Sequence, residues 1–230
     1  MADLIKAGKI RAYGLSNETP FGLSSFYHTA SLLGLPRPVV TQNAYSLLER
    51  NDFETGMQEV CSPHNANIGL LAYSPLAAGA LTGKYINMRD VDARARMKHF
   101  VGFMHRYINP LAREAVEHYK GAADTLGLPL AQVALAFVYS RPFVTSTILG
   151  ATSASQLEDD ILALNIPVTD EAFRLLNGVY RRYVDPTKGV FEVLDPNVEY
   201  VDASKLPWGS KDEDVDPEMD ALINQRAQKF

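Results

Sequence analysis

Four short polar clusters each follow an apolar run: Ser16-Asn17, Gln42-Asn43, Tyr73-Ser74 and Gly150-Ala151-Thr152. Hydroxyl and amide side chains donate or accept hydrogen bonds equally well, so such clusters suit recognition of a polar group. The third is the most developed. Ile68-Gly69-Leu70-Leu71-Ala72 reads as a strand buried on both faces. It breaks at Tyr73-Ser74-Pro75 into the small residues Ala77, Ala78, Gly79 and Ala80, and the stretch closes on Lys84. Small residues let a ligand approach the backbone, and a lysine offers a point charge to phosphate. An aromatic ring, a hydroxyl and open backbone at the carboxyl end of a buried strand form the usual ligand position in α/β proteins. The competing reading is a tight turn with a surface lysine. His28, His64, His99, His105 and His118 fall in helices or a basic loop. No Ser-His-Asp or metal-ligand spacing accompanies them.

The elements that must position these clusters alternate. Ile10 to Leu15 predicts a first strand, and Thr19-Pro20 opens a helix that Gly34 stops. Val39 to Gln42 predicts the second strand. Asn51-Asp52 should cap a helix from Phe53 to about His64. After the strand at Ile68, residues 86–107 read as a basic loop with one short helix. Asn109-Pro110 starts a helix ended by Gly127, and Pro129 starts the next. Val144 to Gly150 is a fourth strand. Thr152-Ser153 caps a helix through Leu164, and Thr169 caps another to about Tyr183. Strand-helix alternation predicts parallel strands with crossover helices, and four polar strand ends on one rim predict half of a (β/α)8 barrel's active face.

Composition sets outer bounds. The chain has 230 residues, 47% of them hydrophobic, enough for one sizeable core. A net charge of −5 gives no footprint for nucleic acid. The lone Cys61 excludes an internal disulfide and fits a reducing, cytoplasmic setting. No apolar run reaches the length of a membrane span. Residues 184–230 hold eleven acidic and five basic side chains, with prolines at 186, 196, 207 and 217. They read either as an extended acidic arm lying on a surface or as a disordered tail. The expected division is therefore 1–183, the barrel part, and 184–230, the extension.

Four motifs carry a family resemblance. Gly14-Leu15-Ser16-Asn17, Gln42-Asn43-Ala44-Tyr45, Leu71 through Tyr85 and Gly150-Ala151-Thr152 with Gln156-Leu157 resemble the fifth to eighth strands of the aldo-keto reductases. The nearest branch holds bacterial sugar-type reductases and potassium-channel β subunits. The resemblance implies the second half of a (β/α)8 TIM barrel binding NADP(H) across its carboxyl rim. It implies that Ser16, Asn17 and Gln42 hold the nicotinamide carboxamide and that Tyr73 stacks on the ring. Ser74, Pro75, Leu76, Ala77 and Gly79 should line the pyrophosphate, with Lys84 and Arg94 as cations. Gly150, Thr152 and Gln156 should meet the adenosine end.

Two departures qualify this. Asp159 and Asp160 stand where the family usually has Glu then Asn, and an extra carboxylate repels a 2′-phosphate, so the preference of NADP over NAD stays open. The family's catalytic Asp, Tyr, Lys and His come from its first four strands, which this sequence does not contain. Three readings follow: the cofactor half of a carbonyl reductase whose tetrad lies upstream, a non-catalytic structural or nucleotide-sensing half-barrel in a larger assembly, or a half completed by another chain. In the second, the acidic arm after Val184 or a protein partner covers the open barrel edges.

Overall fold

The computed structural model describes residues 1–87, 89, 91, 95–100 and 104–188. Four strands, β1 (Gly14–Ser16), β2 (Val40–Ala44), β3 (Gly69–Tyr73) and β4 (Val144–Thr147), form a parallel sheet in the order β1-β2-β3-β4. Helices precede, connect and follow them: α1 (Ala2–Lys6), α2 (Pro20–Leu33), α3 (Gln58–Cys61), α4 (Arg96–His99), α5 (Pro110–Thr125), α6 (Leu130–Tyr139), α7 (Ala154–Leu162) and α8 (Asp170–Arg182). The helix boundaries follow local chemistry. Thr19, Asn109, Ser153 and Thr169 each accept a hydrogen bond from a backbone N–H in the first turn of the helix they open. Gly34, with φ of 67°, closes α2. Among the described residues, no single helix is long and apolar enough to cross a membrane.

The register aligns Ser16 with Gln42, Gln42 with Leu71 and Leu71 with Ser146. These four share one face. The other face presents Thr41, Leu70 and Ala72, all fully buried beneath the helices. The expectation that β3 is buried on both faces is corrected: Gly69, Leu71 and Tyr73 are half-buried, and Leu70 and Ala72 buried. Among the described residues, helices cover one side of the sheet only. Glycines shape the bare side. Gly14 lies opposite Val40, whose Cγ2 is 2.5 Å from where a Gly14 Cβ would stand. Thr145, displaced by a register shift in β4, fills the matching place beside Gly69.

Other boundaries differ from the sequence reading. β1 is shorter than Ile10–Leu15 because β2 begins only at Val40, opposite Gly14, so Ile10 to Arg11 has no strand to pair with. The helix after β2 starts as a π-turn over Phe53–Met57 and ends with α3 at Cys61, short of His64. Asp52 caps nothing with its side chain; it pairs with Lys188. Pro63 stops the helix by forcing Ser62 into an extended conformation. β4 ends at Thr147, and α7 at Leu162 passes into a 3-10 turn, Ala163–Asn165.

The core joins Leu23, Tyr45, Leu47, Phe53, Tyr119 and Phe137. Arg50 runs through it, 4% exposed, with its guanidinium 4.9 Å from the Phe137 ring centre and 4.0 Å from that of Tyr180. It donates to both carboxylate oxygens of Glu54 and to the Asn177 side chain. Tyr45 donates to Glu54 Oε1 at 2.5 Å. Each hydrogen-bonding edge of this buried charge thus has a partner, the condition under which a buried ion pair is tolerated. After α8, Asp185 and Pro186 accept from the side chains of Asn51 and Asn109. The acidic extension from residue 189 onward lies outside the described residues.

Candidate functional site

The carboxyl ends of β1, β2 and β3 bring together four of the residues singled out from sequence. Tyr73 donates its phenol O–H to Asn17 Oδ1 at 2.8 Å, across 56 positions of sequence. Asn17 Nδ2 donates to Ser16 Oγ at 3.3 Å, and the Asn17 backbone N–H donates to the Gln42 carbonyl at 2.9 Å. Gln42 stands in register beside Ser16 on the bare face. Asn17 holds φ at 57°, a left-handed turn that Asn tolerates better than most residues. That turn lifts its amide out of the strand and toward Tyr73. The result is a rim of amide and hydroxyl groups around a half-buried tyrosine ring.

The loop after β3 carries the strongest backbone signature. Ser74 (φ 53°), Ala77 (49°), Ala78 (52°), Gly79 (93°) and Gly83 (81°) are all left-handed. Such geometry costs a non-glycine residue about 1–2 kcal/mol, and strain of this sort gathers where a ligand must be met. Turns that mix right- and left-handed residues form concavities lined by N–H groups that attract anions. Leu76 and Ala77 have such a pair of conformations, with the Ala77 and Gly79 N–H groups donating to the Ser74 and Leu76 carbonyls at 2.8 and 2.9 Å. Lys84 lies over the loop: its Nζ is 3.0 Å from where a Gly79 Cβ would stand. A side chain at Gly79 would push the ammonium away. Pro75 is buried and Leu76 half-buried at the base of this loop.

At the end of β4 the arrangement is different. Gly150 and Thr152 are exposed, and the Thr152 N–H and hydroxyl both donate to Gln156 Oε1 at 2.9 Å. With Ser153 Oγ accepting from Gln156 N–H, this resembles a capping box, a local role that Gln156 fills with no ligand. Asp159 is exposed, and Asp160 is the buried residue of α7. Burial, with the neighbouring Asp159 charge second, pushes the Asp160 carboxyl above its ordinary range. Arg94 lies outside the described residues.

One group near the rim gave no sequence signal. Glu49, on the tight Ser46–Glu49 turn after β2, accepts from Tyr107 at 2.6 Å, and Arg106 donates to the Tyr107 oxygen at 3.0 Å. Burial and then the Glu49 charge raise the Tyr107 phenol far above its usual value. It is held as a neutral donor and is a poor acid. The Glu49-Arg50 dipeptide does not point to it, because Arg50 pairs with Glu54. The five histidines are exposed, and among the described residues no group of metal-ligating side chains occurs.

Comparison with known proteins fits this geometry. Residues 1–181 match the aldo/keto reductase family. A Babesia bovis protein named aldo-keto reductase is 40% identical over 188 residues, 80% of this chain and 66% of its own length. Protein tas of Escherichia coli K12 is 43% identical over 186 residues, 81% of this chain and 52% of that protein. A probable voltage-gated potassium channel β subunit of Arabidopsis thaliana is 33% identical over 156 residues, 67% of this chain and 47% of that one. The chain thus spans about half to two thirds of the length of these curated relatives. With a parallel strand-helix fold and a match over most of its length, the chain belongs to the aldo/keto reductase family.

Proposed function

We propose that residues 1–183 are strands five to eight of a (β/α)8 barrel and bind a nicotinamide dinucleotide, NADPH, across the carboxyl rim. In this reading the chain is the cofactor-holding part of a carbonyl-reducing oxidoreductase, and 184–230 form its acidic extension. One observation carries it: a neutral amide and hydroxyl rim lies on the same strand ends as a left-handed, lysine-covered loop. A dinucleotide presents the same two chemistries, a carboxamide and a pyrophosphate. The bare sheet face supports the barrel reading, because Gly14 and Gly69 alternate with Val40 and Thr145 as a barrel interior requires.

When bound, the cofactor supplies a hydride to a carbonyl carbon. The chain's own residues bind and orient it. Ser16, Asn17 and Gln42 offer donors and acceptors to the carboxamide. Tyr73, its phenol anchored on Asn17, keeps a fixed ring for packing against the nicotinamide. The Leu76 to Gly79 backbone and Lys84 hold the anionic centre. The Thr152-Gln156 pair and Asp159-Asp160 lie at the adenosine end. The proton for the alcohol needs an acid from strands one to four. Tyr107, tied to Glu49 and raised by burial, does not supply it. That observation favours a second reading for the chain by itself, a nucleotide-holding module without catalysis.

The test is fluorescence titration of the 230-residue chain with NADPH and NADH. Saturable binding that Lys84→Met weakens about tenfold, the scale of one charge-assisted contact, is expected. Absence of binding, or affinity indifferent to both Lys84→Met and Tyr73→Ala, overturns the proposal.

A further inference from the structure

One cation at the rim is held firmly and left incomplete. Arg106 lies in the turn His105–Tyr107, which opens on Met104, left-handed with φ of 52°. Buried Asn109 donates its side-chain N–H groups to the Arg106 and Pro186 carbonyls, each at 2.8 Å, and so fixes the Arg106 backbone. The side chain is fixed as well. Its guanidinium lies 4.7 Å from the centre of the buried Tyr107 ring, and Nη2 donates to the Tyr107 oxygen. Nε stands 3.6 Å from Glu49 Oε2, an ion pair without a hydrogen bond, and this N–H is buried with no acceptor. Both partners lie along the Nε and Nη2 side. Among the described residues Nη1 has no acceptor, and the side chain is 37% exposed. Arg50 shows the structural alternative in the same molecule, with an acceptor along each edge of its guanidinium.

Resting on the dinucleotide reading, we propose that Arg106 receives an anionic group of the carbonyl compound that is reduced, so that the substrates are aldehydes or ketones carrying a carboxylate.

The place of Arg106 on the rim favours this ligand. Its turn packs against Ala77–Thr82, the loop assigned to the pyrophosphate. Its charge also interacts with the Tyr73 phenol. The turn that carries Glu49 begins directly after Tyr45, whose backbone N–H donates to the Tyr73 carbonyl. Arg106 therefore stands beside the ring assigned to the nicotinamide, and a group bound to it lies within the span of a small molecule from the hydride. The chemistry fits a carboxylate. Glu49 holds the guanidinium from behind and is itself engaged by the Tyr107 O–H at 2.6 Å. The open Nη1 end presents planar N–H donors, the geometry that carboxylate oxygens accept. A neutral substrate would cover this cation and leave its N–H groups without an acceptor, which costs affinity.

The test is calorimetric titration of the NADPH-saturated 230-residue chain with para-formylbenzoate, beside its uncharged methyl ester. Both groups that the probe would touch, Arg106 and the nicotinamide, are carried by this chain. Expected is saturable binding of the acid at least about tenfold tighter than that of the ester. Arg106→Gln should abolish this preference. Arg106→Lys, which keeps the charge without the planar fork, should restore part of it. NADPH affinity should change by less than about twofold in both variants. A tenfold loss of NADPH affinity in Arg106→Gln, on the scale of about one charge-assisted contact, makes Arg106 a cofactor cation; it overturns the assignment and leaves the dinucleotide reading standing. Acid and ester binding alike, or neither binding, overturns it in the same way. If the acid binds equally well to the cofactor-free chain, or inorganic phosphate displaces it at equal concentration, Arg106 holds an adventitious ion only, and the assignment falls. Failure of the wild-type chain to bind NADPH removes both readings.

Discussion

The helix side of the sheet and its carboxyl rim are built on opposite principles. On the helix side, Arg50 has Glu54, Asn177 and two aromatic rings, and Tyr119 reaches the Leu47 carbonyl. On the rim, Ser16 and Asn17 are exposed, and Ala77 and Ala78 sit in a conformation that alanine disfavours. The first region satisfies its polar groups from within the chain. The second pairs its polar groups with one another at an exposed rim and keeps backbone strain. The difference locates stability in one and ligand contact in the other.

The largest test removes the anchor of the stable region. Arg50→Met should lower unfolding free energy by about 3 kcal/mol in urea titration, the low end for a buried pair, because half-buried Glu54 is left without its cation. A loss below 1 kcal/mol, roughly a surface pair's worth, would erase the contrast. Next, one substitution should act with opposite signs in the two regions. Ala134→Gly, fully buried in α6, should cost at least about 1 kcal/mol. Ala78→Gly should add about 1 kcal/mol by relieving a φ of 52°. Equal signs in thermal unfolding would show that the loop stores no strain.

Tyr73→Phe sharpens the rim. It removes the bond to Asn17 but keeps the ring. NADPH affinity should fall a few-fold, on the scale of about 1 kcal/mol, with thermal stability unchanged. The smallest effect concerns Asp160. Its folded carboxyl is raised by burial and then by Asp159, so the folded state prefers the protonated form. Its contribution is favourable below the unfolded carboxylate pKa and is lost as pH rises through the folded one. Asp160→Asn should narrow the difference in melting temperature between about pH 4 and pH 8.

Much of the fold was legible because local chemistry punctuates it. Thr19-Pro20, Asn109-Pro110 and Thr169 mark helix starts by a hydrogen bond that needs only neighbours. The strand ends at Ser16 and Tyr73 were legible as polar breaks after apolar runs, whereas β2 runs two residues past Gln42, to Ala44. What escaped depends on distant partners. Ile68 to Ala72 reads alike whether one face or two are covered, and only the sheet's surroundings decide. β1 is short because β2 starts late. The left-handed Ala77 and Ala78 have no propensity to announce them. Glu49 and Tyr107 meet over 58 positions, and neither residue type predicts that.

The Arg50 anchor also has a consequence for the order in which the chain is made. Each strand pairs with the one synthesised before it, so the sheet can grow as the polypeptide leaves the ribosome. Arg50 finds Glu54 within one helical turn, but Asn177 lies 127 positions later. At common elongation rates that interval is on the order of ten seconds. During it the guanidinium has its countercharge in Glu54 but lacks the Asn177 acceptor and the Tyr180 ring, and the face of α5 that α8 will cover stays open. A chaperone therefore has its window between emergence of β2 and arrival of α8, and translation pauses placed before residue 177 would lengthen that exposure.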